Sequence, residues 1–303
     1  MTTAFVLLCA MLLDAMLGEP AWLWSRLPHP AVLMGRLIGW MDRRFNHGTA
    51  RRIKGAACLI ALIAIGYGTG WILSLAGPVV ETICAAILLA QRSLVDHVAA
   101  VAEGLRETLN DGRAHVSMIV SRDTSQMDES AVARAAVESA AENVSDGVIA
   151  PAFWFLVGGL PALVAYKCIN TADSMIGYRT ARYDAFGWAS ARTDDLVNLI
   201  PARLTALFIA TAKGQFDFRA VRRDARLHRS PNAGWPEAAM ARSLGIALAG
   251  PRAYDGAMQD FPWVNGDARR QLGPIDIDAS IVILWKAWSI MFVLCALTGF
   301  LTA

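Results

Sequence analysis

The sequence has little charge for its length. Of its 303 residues only 18% are charged, whereas 55% are hydrophobic, and the mean hydropathy is +0.39. A soluble domain usually carries about 25% charged residues, so this composition excludes a disordered chain and is atypical of a water-soluble one. The 28 basic and 26 acidic residues leave a net charge of only +2, which argues against nucleic acid as a partner.

Cysteine motifs and the common nucleotide-binding and hydrolase motifs are also missing. The five cysteines lie far apart, mostly within apolar runs, with no CxxC or zinc-type spacing. We therefore predict small buried side chains and no disulfide framework. There is no GxxxxGK[ST], GxGxxG, GxSxG or HExxH, which excludes a standard phosphate-binding loop and the hydrolases that carry those motifs.

Long apolar runs are the main feature that the sequence does have. They predict an all-α, polytopic integral membrane protein with about four to five membrane segments and helical cytoplasmic loops, in a single membrane-embedded domain over residues 1–303. No Lys or Arg precedes the first segment, so a retained helix is predicted and not a signal peptide. The predicted segments are 2–18, 55–74, 79–95, 147–166 and 281–303.

One of these segments allows two interpretations. Residues 147–166 are interrupted by Gly158-Gly159-Leu160-Pro161, which predicts either a kinked spanning helix or a re-entrant helical hairpin that returns to its own side. The re-entrant hairpin is favoured because it would bring the polar motifs of residues 167–198 to the same side as the other polar loops.

Basic residues set the predicted orientation. Residues 19–54 carry seven basic and two acidic residues, and residues 213–279 carry ten basic residues, whereas the turn at 74–80 carries none. By the positive-inside rule the large polar loops are cytoplasmic. These loops are 19–54, 96–146, 167–198 and 213–279.

The densest polar cluster lies within residues 122–147. Asp128 or Ser125 can cap a helix from about residue 129 to 145. On that helix Glu138 and Glu142 share one face, where like charges repel each other and the helix C-terminus disfavours anions. We expect Mg²⁺ or an arginine from another loop to compensate. The alternative is an exposed acidic face with an ordinary Arg134–Glu138 pair.

Two further clusters combine cations with oxygen ligands. Residues 167–198 mix carboxylates, amides and basic side chains, which suits Mg²⁺ and phosphate, although a polar interfacial loop would look the same. The arginines of residues 219–229 recur at three- and four-residue steps and predict a basic helical stripe, for phosphate or for anionic lipid headgroups. His29 lies in a rigid Pro-His-Pro turn and either supports the structure or touches a substrate.

Together these motifs resemble the adenosylcobinamide-phosphate synthase family, the CbiB/CobD-type membrane proteins of cobalamin biosynthesis. The resemblance covers nearly the whole chain in the family's order. It departs at Gly18-Glu19-Pro20, where Gly-Asp-Pro is expected. The motifs are LLDAMLGEP, LPHPAVLMGRLI, SRDTSQMDE, AAVESAAENVSDGVIAPAFW, YKCINTADSMIGY, RYDAFGWASARTDDLVNLIPARL and RLHRSPNAGWPEAAMA.

The resemblance implies an ATP- and Mg²⁺-dependent amide ligase of the bacterial cytoplasmic (inner) membrane, with its active site facing the cytoplasm. It would join the propionate carboxylate of adenosylcobyric acid to (R)-1-amino-2-propanol O-2-phosphate, or a related amino alcohol, through an acyl phosphate. The implied partners are these two substrates and the lipid bilayer. Other cobalamin-biosynthesis enzymes and a second copy in a homo-oligomer are partners that the sequence leaves open.

The resemblance and the three clusters give a set of site hypotheses. Asp194 or Asp195 is a candidate base for the attacking ammonium, and the other candidate catalytic residues, Glu138, Glu142, Asp146 and Asp173, are the candidate Mg²⁺ ligands. The candidate substrate- and phosphate-binding residues are His29, Arg122, Asp123, Lys167, Asn170, Arg179, Arg182, Arg192, Arg222, Arg226, His228 and Asn232.

Two other functional classes stay open. Broken helices and Asp14 within an apolar segment are compatible with a transporter. However, the sequence shows no paired repeat, and its polar residues are concentrated in loops. A membrane sensor or regulatory protein of the same superfamily is the other alternative. ATP-dependent product formation would separate the ligase from both.

Overall fold

The structure is a computed structural model that describes residues 2–254 and 257–301. Within those residues it is mainly helical, and four helices are long and apolar enough to cross a membrane. A bent pair of helices, at 47°, is a fifth candidate. The predicted all-α, polytopic fold is confirmed. The four candidate spans are Arg51–Ser74, Pro78–Glu107, Glu129–Ile176 and Pro274–Leu301.

The helices are numbered along the chain. The first seven are α1 (Thr3–Leu17), α2 (Ala21–Trp24), α3 (Pro30–Phe45), α4 (Arg51–Ser74), α5 (Pro78–Leu88), α6 (Gln91–Glu107) and α7 (Leu109–Val116). The next are α8 (Glu129–Val144), a π-helical turn (Ser145–Ile149), α9 (Ala150–Ile176), α10 (Trp188–Val197) and α11 (Leu199–Lys213). The last are α12 (Phe218–Ala225), α13 (Gly234–Leu244) and α14 (Pro274–Leu301).

Four short strands form two antiparallel pairs. Strand β1 (Leu248–Ala249) pairs with β4 (Trp263–Val264), and β2 (Arg252–Tyr254) pairs with β3 (Ala257–Gln259). No strand is longer than three residues among those that the structure describes, which agrees with the lack of a long alternating pattern in the sequence.

Residue contacts group the chain into two compact units. The first unit comprises Met1–Ala90, Ala150–Leu199 and Leu294–Ala303. The second comprises Gln91–Ile149 and Ile200–Val293. The single-domain organisation over residues 1–303 stays a prediction.

In the first unit α4 and α9 pack closely through glycines. A Cβ at Gly70 would lie 2.6 Å from the Cα of Pro161, and a Cβ at Gly66 would lie 2.8 Å from the Sγ of Cys168. Both distances are shorter than real Cβ contacts. Only hydrogen at these positions lets the two backbones approach, as in other small-residue contacts between membrane helices.

A kink interrupts α9 at Gly158 and Gly159. Gly158 and Gly159 have non-helical angles, and the φ of Gly159 is +67°, a value that glycine adopts readily. Pro161 then lies beside Gly70, near the end of α4. At the other end of α4 the guanidinium of Arg51 donates to the carbonyl oxygens of Ala181 and Arg182, at 3.4 and 3.3 Å. Residues 160–182 therefore run antiparallel to α4, and the re-entrant course of residues 147–166 stays a prediction.

In the second unit α8 begins where the sequence predicts. The carboxylate of Asp128 accepts a hydrogen bond from the Ala131 N–H at 2.7 Å, so Asp128, and not Ser125, caps the helix. Glu129 in the first turn complements the helix dipole. The predicted range of about 129–145 is confirmed to within one residue at Glu129–Val144.

Other predicted boundaries differ from the structure. The segment predicted at 79–95 crosses the break between α5 and α6, because α5 ends at Leu88 and α6 begins at Gln91. The predicted basic helical stripe over 219–229 is wrong at its end, since α12 stops at Ala225 and Arg226 is its C-cap. Periodic spacing alone did not show where the helix would end.

Candidate functional site

The second unit contains a polar cavity that we call the acidic cavity. Its volume is about 280 Å³. Four of the predicted site residues line it, together with four polar side chains that the sequence did not assign to the site. The predicted four are Arg122, Glu138, Glu142 and His228, and the other four are Ser121, Ser139, Asn143 and Glu237.

A buried ion pair lies in the wall of the acidic cavity. The guanidinium of Arg122 lies 2.5 Å from Oε2 of Glu138, and the two side chains are only 11% and 5% exposed. Oε1 of Glu138 accepts a hydrogen bond from the backbone N–H of Ala249 at 2.7 Å. Both oxygens are thus engaged, so the cation that compensates Glu138 comes from the loop before α8.

The alternative pairing of Glu138 with Arg134 is not the one that the structure forms. Arg134 instead donates to the carbonyl oxygen of Arg270 at 2.6 Å and lies over the ring of Trp263, 4.8 Å from its centroid. Arg134 therefore ties α8 to the segment that precedes α14, and Arg122 is the ion-pair partner of Glu138.

Glu142 occupies a different position from Glu138. It lies one turn further along α8, is exposed, and lines the same cavity. Beside it, the Asn143 amide donates to the backbone oxygen of Ser139 at 2.9 Å and to its hydroxyl at 3.1 Å. The Ser139 hydroxyl in turn donates to the carbonyl of Ile119 at 2.8 Å. These bonds hold the helix face next to Glu142 in place.

His228 and Glu237 complete the cavity. The Ser230 N–H donates to Nδ1 of His228 at 3.0 Å, which assigns the proton of the neutral ring to Nε2. Nε2 lies 3.6 Å from Oε1 of the buried Glu237. Glu237 is not among the residues predicted for the site, and no local spacing in the sequence relates it to His228.

The remaining site candidates of this unit lie outside the described lining of the acidic cavity. Asp123 is exposed, and hydrogen bonds from the backbone and hydroxyl of Ser125 lower the pKa of its carboxyl. Asp146 lies in the π-helical turn. Arg222 and Arg226 are exposed at the end of α12, and the buried Asn232 accepts from Arg203 at 3.3 Å.

The first unit holds a second group of predicted residues, which we call the Asp194 cluster. Asp194 on α10 is only 8% exposed. Its carboxylate accepts from the Asn198 amide at 3.0 Å and from the Asn170 amide of α9 at 3.4 Å. The Tyr166 hydroxyl donates to Oδ1 of Asn198 at 3.0 Å. The cluster is a chain of hydrogen bonds from a buried phenol to a buried carboxylate.

Two arginines act electrostatically on the neighbouring Asp195. The guanidinium of Arg192 lies 3.9 Å from its Oδ2, and Arg179 also acts on it electrostatically. Lys167 and Asp173 lie on α9, on either side of Asn170 in the sequence. The structure thus brings together Asn170, Asp194 and Asp195 with two of the predicted phosphate-binding arginines.

Two other predicted residues of this unit have structural contacts. Nδ1 of His29 accepts from the Ala31 N–H at 3.2 Å and so caps α3. Arg182 lies 2.5 Å from Oδ2 of Asp42, which is buried. Burial of Asp42 could not be foreseen from its position between basic residues in the sequence.

The arrangement of the side chains that could bind a metal limits how Mg²⁺ could be held. No group of three His, Cys, Asp or Glu side chains among residues 2–254 and 257–301 is arranged to hold a metal ion. Mg²⁺ often uses only one or two carboxylates together with water and substrate phosphates. The acidic cavity fits that mode, because Glu142 lines it and Arg122 already neutralises Glu138.

Comparison with known proteins bears on the chain as a whole. The sequence model of the CobD/Cbib protein family matches residues 7–284. The chain belongs to this CobD/Cbib family. The matched range includes every site candidate named above.

Curated relatives of the family are similar over nearly their full lengths. The chain is 49% identical to a cobalamin biosynthesis protein CobD of Brucella suis, with 94% of each chain covered. It is 46% identical to the protein of that name from Rhodobacter capsulatus, with 99% of each covered. No solved structure matches the chain. These findings show a cobalamin-biosynthesis protein of this family, and the candidate spans make it a multi-pass membrane protein.

Proposed function

We propose that the chain catalyses the adenosylcobinamide-phosphate synthase reaction. In that reaction ATP drives amide formation between the propionate carboxylate of adenosylcobyric acid and (R)-1-amino-2-propanol O-2-phosphate or a related amino alcohol. The observation that carries the proposal is the acidic cavity, where Arg122, His228 and Glu142 line one polar space in a chain of a cobalamin-biosynthesis family. Cations and carboxylates together suit phosphoryl transfer, which needs charge neutralisation.

The chemistry takes two steps. A carboxylate is a poor acyl donor because oxide would have to leave. In the first step a carboxylate oxygen attacks the γ-phosphorus of ATP, the bond to the β-phosphate oxygen breaks, and ADP leaves. In the second step the amine nitrogen attacks the acyl carbon, a C–N bond forms, and inorganic phosphate leaves. The nitrogen loses a proton to a base in this step.

The acidic cavity is assigned to the first step. Mg²⁺, when bound with the nucleotide, would neutralise phosphate charge. Glu142 is assigned to hold it, because this carboxylate lines the cavity and is exposed. His228 lines the same cavity and would exchange its Nε2 contact with Glu237 for one with a phosphate oxygen. Glu138 then acts as a positioning residue for Arg122.

The Asp194 cluster supplies candidates for the second step. Asp195 is about one-third exposed and lies beside Arg192, so it can exchange a proton with solvent. Asp194 is buried and accepts two amide hydrogen bonds, one of which, from Asn170, joins α10 to α9. We therefore favour Asp195 as the base, with Arg179, Arg192 and Lys167 as phosphate-binding residues.

The cytoplasmic membrane and a cytoplasmic active site belong to the same proposal. The contacts of Arg51 with residues 181 and 182 support a common side for the loop before α4 and the segment after α9. The basic loop 19–54 favours the cytoplasm for that side.

Product formation tests the proposal directly. Protein purified in detergent is incubated with adenosylcobyric acid, ATP, Mg²⁺ and either 1-amino-2-propanol or its O-phosphate, and the amide product is measured by mass spectrometry. Reactions that omit ATP, Mg²⁺ or the amine serve as controls. We expect product only in the complete mixture. Folded protein that makes none would exclude the ligase and favour the transporter or sensor.

A further inference from the structure

A second cavity lies next to the acidic cavity in the same unit. Its volume is about 170 Å³. Leu227, Pro262 and Val264 give it apolar walls, and Phe261 and Arg229 add an aromatic ring and a guanidinium. We call it the aromatic cavity. Of the site candidates predicted from the sequence, His228 alone belongs to its described lining.

Two residues connect the cavities. His228 lines both of them. Ala249 lines the aromatic cavity, and its N–H is bound at 2.7 Å by Glu138, which lines the acidic cavity. The two spaces are therefore neighbours that share His228 in their walls.

The lining of the aromatic cavity suits a flat ring. The Arg229 guanidinium lies 4.4 Å from the centroid of the Phe261 ring. Aromatic rings and guanidinium planes are the groups on which nucleic bases stack, whichever base is present. The cavity is far too small for a corrin macrocycle. A polar space with phosphate-binding chemistry beside a small apolar space with a stacking platform matches the two ends of a nucleotide.

We propose that the aromatic cavity binds the base of a nucleotide whose phosphates occupy the acidic cavity. This inference rests on the proposed function, because it requires a nucleotide as substrate. The base packs against the stacked pair that Phe261 and Arg229 form, and His228 lies where base and phosphates meet. Neither Phe261 nor Arg229 takes part in a chemical step.

The test compares two ligands that share the polyphosphate and differ in the nucleoside. One is the non-hydrolysable analogue AMP-PNP with Mg²⁺, and the other is inorganic tripolyphosphate with Mg²⁺. Their dissociation constants are measured by calorimetry with the full chain in detergent. Phe261→Ala removes the stacking ring, Phe261→Trp keeps one, and Phe216→Ala is the matched control, since Phe216 is 63% exposed and lies outside both described linings.

We expect Phe261→Ala to weaken AMP-PNP binding about tenfold and to leave tripolyphosphate binding unchanged. Phe261→Trp and Phe216→Ala should both bind AMP-PNP like the unmodified chain. Equal AMP-PNP affinity in Phe261→Ala and the unmodified chain would overturn the base site but not the ligase. Loss of both ligands in Phe261→Ala, with Phe261→Trp unimpaired, would also overturn it, because the ring would then support the fold. If the unmodified chain does not bind AMP-PNP at all, the proposed function itself fails.

Discussion

Arg122 and Glu138 form an ion pair at 2.5 Å in which both side chains are largely withdrawn from water. Such a pair is costly to break, because removing one partner leaves the other charge buried without compensation. Glu138 also binds the Ala249 N–H. The pair therefore matters for the stability of the wall of the acidic cavity as well as for its charge.

The first prediction concerns that pair. Arg122→Met should lower the free energy of unfolding by about 3–5 kcal/mol and lower the apparent melting temperature in detergent. The matched control is Arg106→Met, whose partner Asp278 is 48% exposed, and we expect a change within about 1 kcal/mol. Adding Glu138→Gln to Arg122→Met should restore part of the loss, since the uncompensated charge disappears. Equal melting shifts for the two single variants would contradict the prediction.

The second prediction concerns Glu142. Glu142→Gln should lower turnover by about 100-fold or more, because a neutral amide holds Mg²⁺ poorly, and a higher Mg²⁺ concentration should recover part of the activity. Melting temperature should stay unchanged because the side chain is exposed. Glu103→Gln, another exposed position in the same unit, serves as the control. Near-normal turnover in Glu142→Gln would remove Glu142 from the reaction.

The third prediction concerns the Asp194 cluster. Tyr166→Phe removes the hydroxyl that donates to Asn198 and should cost about 1 kcal/mol of stability, since a buried acceptor loses its donor. Tyr67→Phe is the control, because Tyr67 is 52% exposed. Thermal melting of the two variants in one detergent gives the comparison, and no difference between them would count against the hydrogen-bonded chain.

The fourth prediction concerns the contact of α4 with α9. At Gly70 a methyl group would overlap Leu160 and Pro161, whereas at Gly68 it would meet nothing within 4 Å. Gly70→Ala should therefore destabilise the protein by about 1–3 kcal/mol, and Gly68→Ala should be neutral or mildly stabilising because alanine favours helix. Yield of folded protein and melting temperature are measured. If both variants behave alike, the close approach of the helices is wrong.

The fifth prediction concerns sidedness. Single cysteines at Asp184 and Gly48, in a background without the native cysteines, should react from the same side of oriented vesicles with a reagent that cannot cross the membrane. A cysteine at Ala76 should react from the opposite side. Labelling of positions 184 and 76 from one side would mean that the residues 147–166 cross the membrane once.

The sequence was sufficient for features that depend on local patterns. The helix after Asp128 follows from a capping carboxylate before an alanine-rich run. The break at Gly158-Gly159 follows from residues that do not continue a helix. The family follows from several motifs in order, which the match over residues 7–284 confirms.

Features that depend on contacts between residues far apart in the sequence could not be predicted from it. Nothing near Glu138 in the sequence indicates that the Ala249 N–H binds it, and nothing near Asp42 indicates Arg182. Glu237 lies on α13, and His228 comes within 3.6 Å of it because the chain turns between the two residues. The aromatic cavity was missed for the same reason, since Phe261 and Arg229 are 32 positions apart in the sequence and meet only in the folded chain.

The hydrogen bond from Ala249 to Glu138 has a mechanical consequence. Ala249 lies in strand β1, which pairs with β4 at Trp263, and Phe261 precedes β4 by two residues. A phosphate that drew Arg122 away from Glu138 would free the carboxylate to shift. The backbone of β1, which is bonded to that carboxylate, would shift with it, and so would the paired strand β4. Binding of a ligand in the acidic cavity would in this way alter the shape of the aromatic cavity, even if no single ligand occupied both.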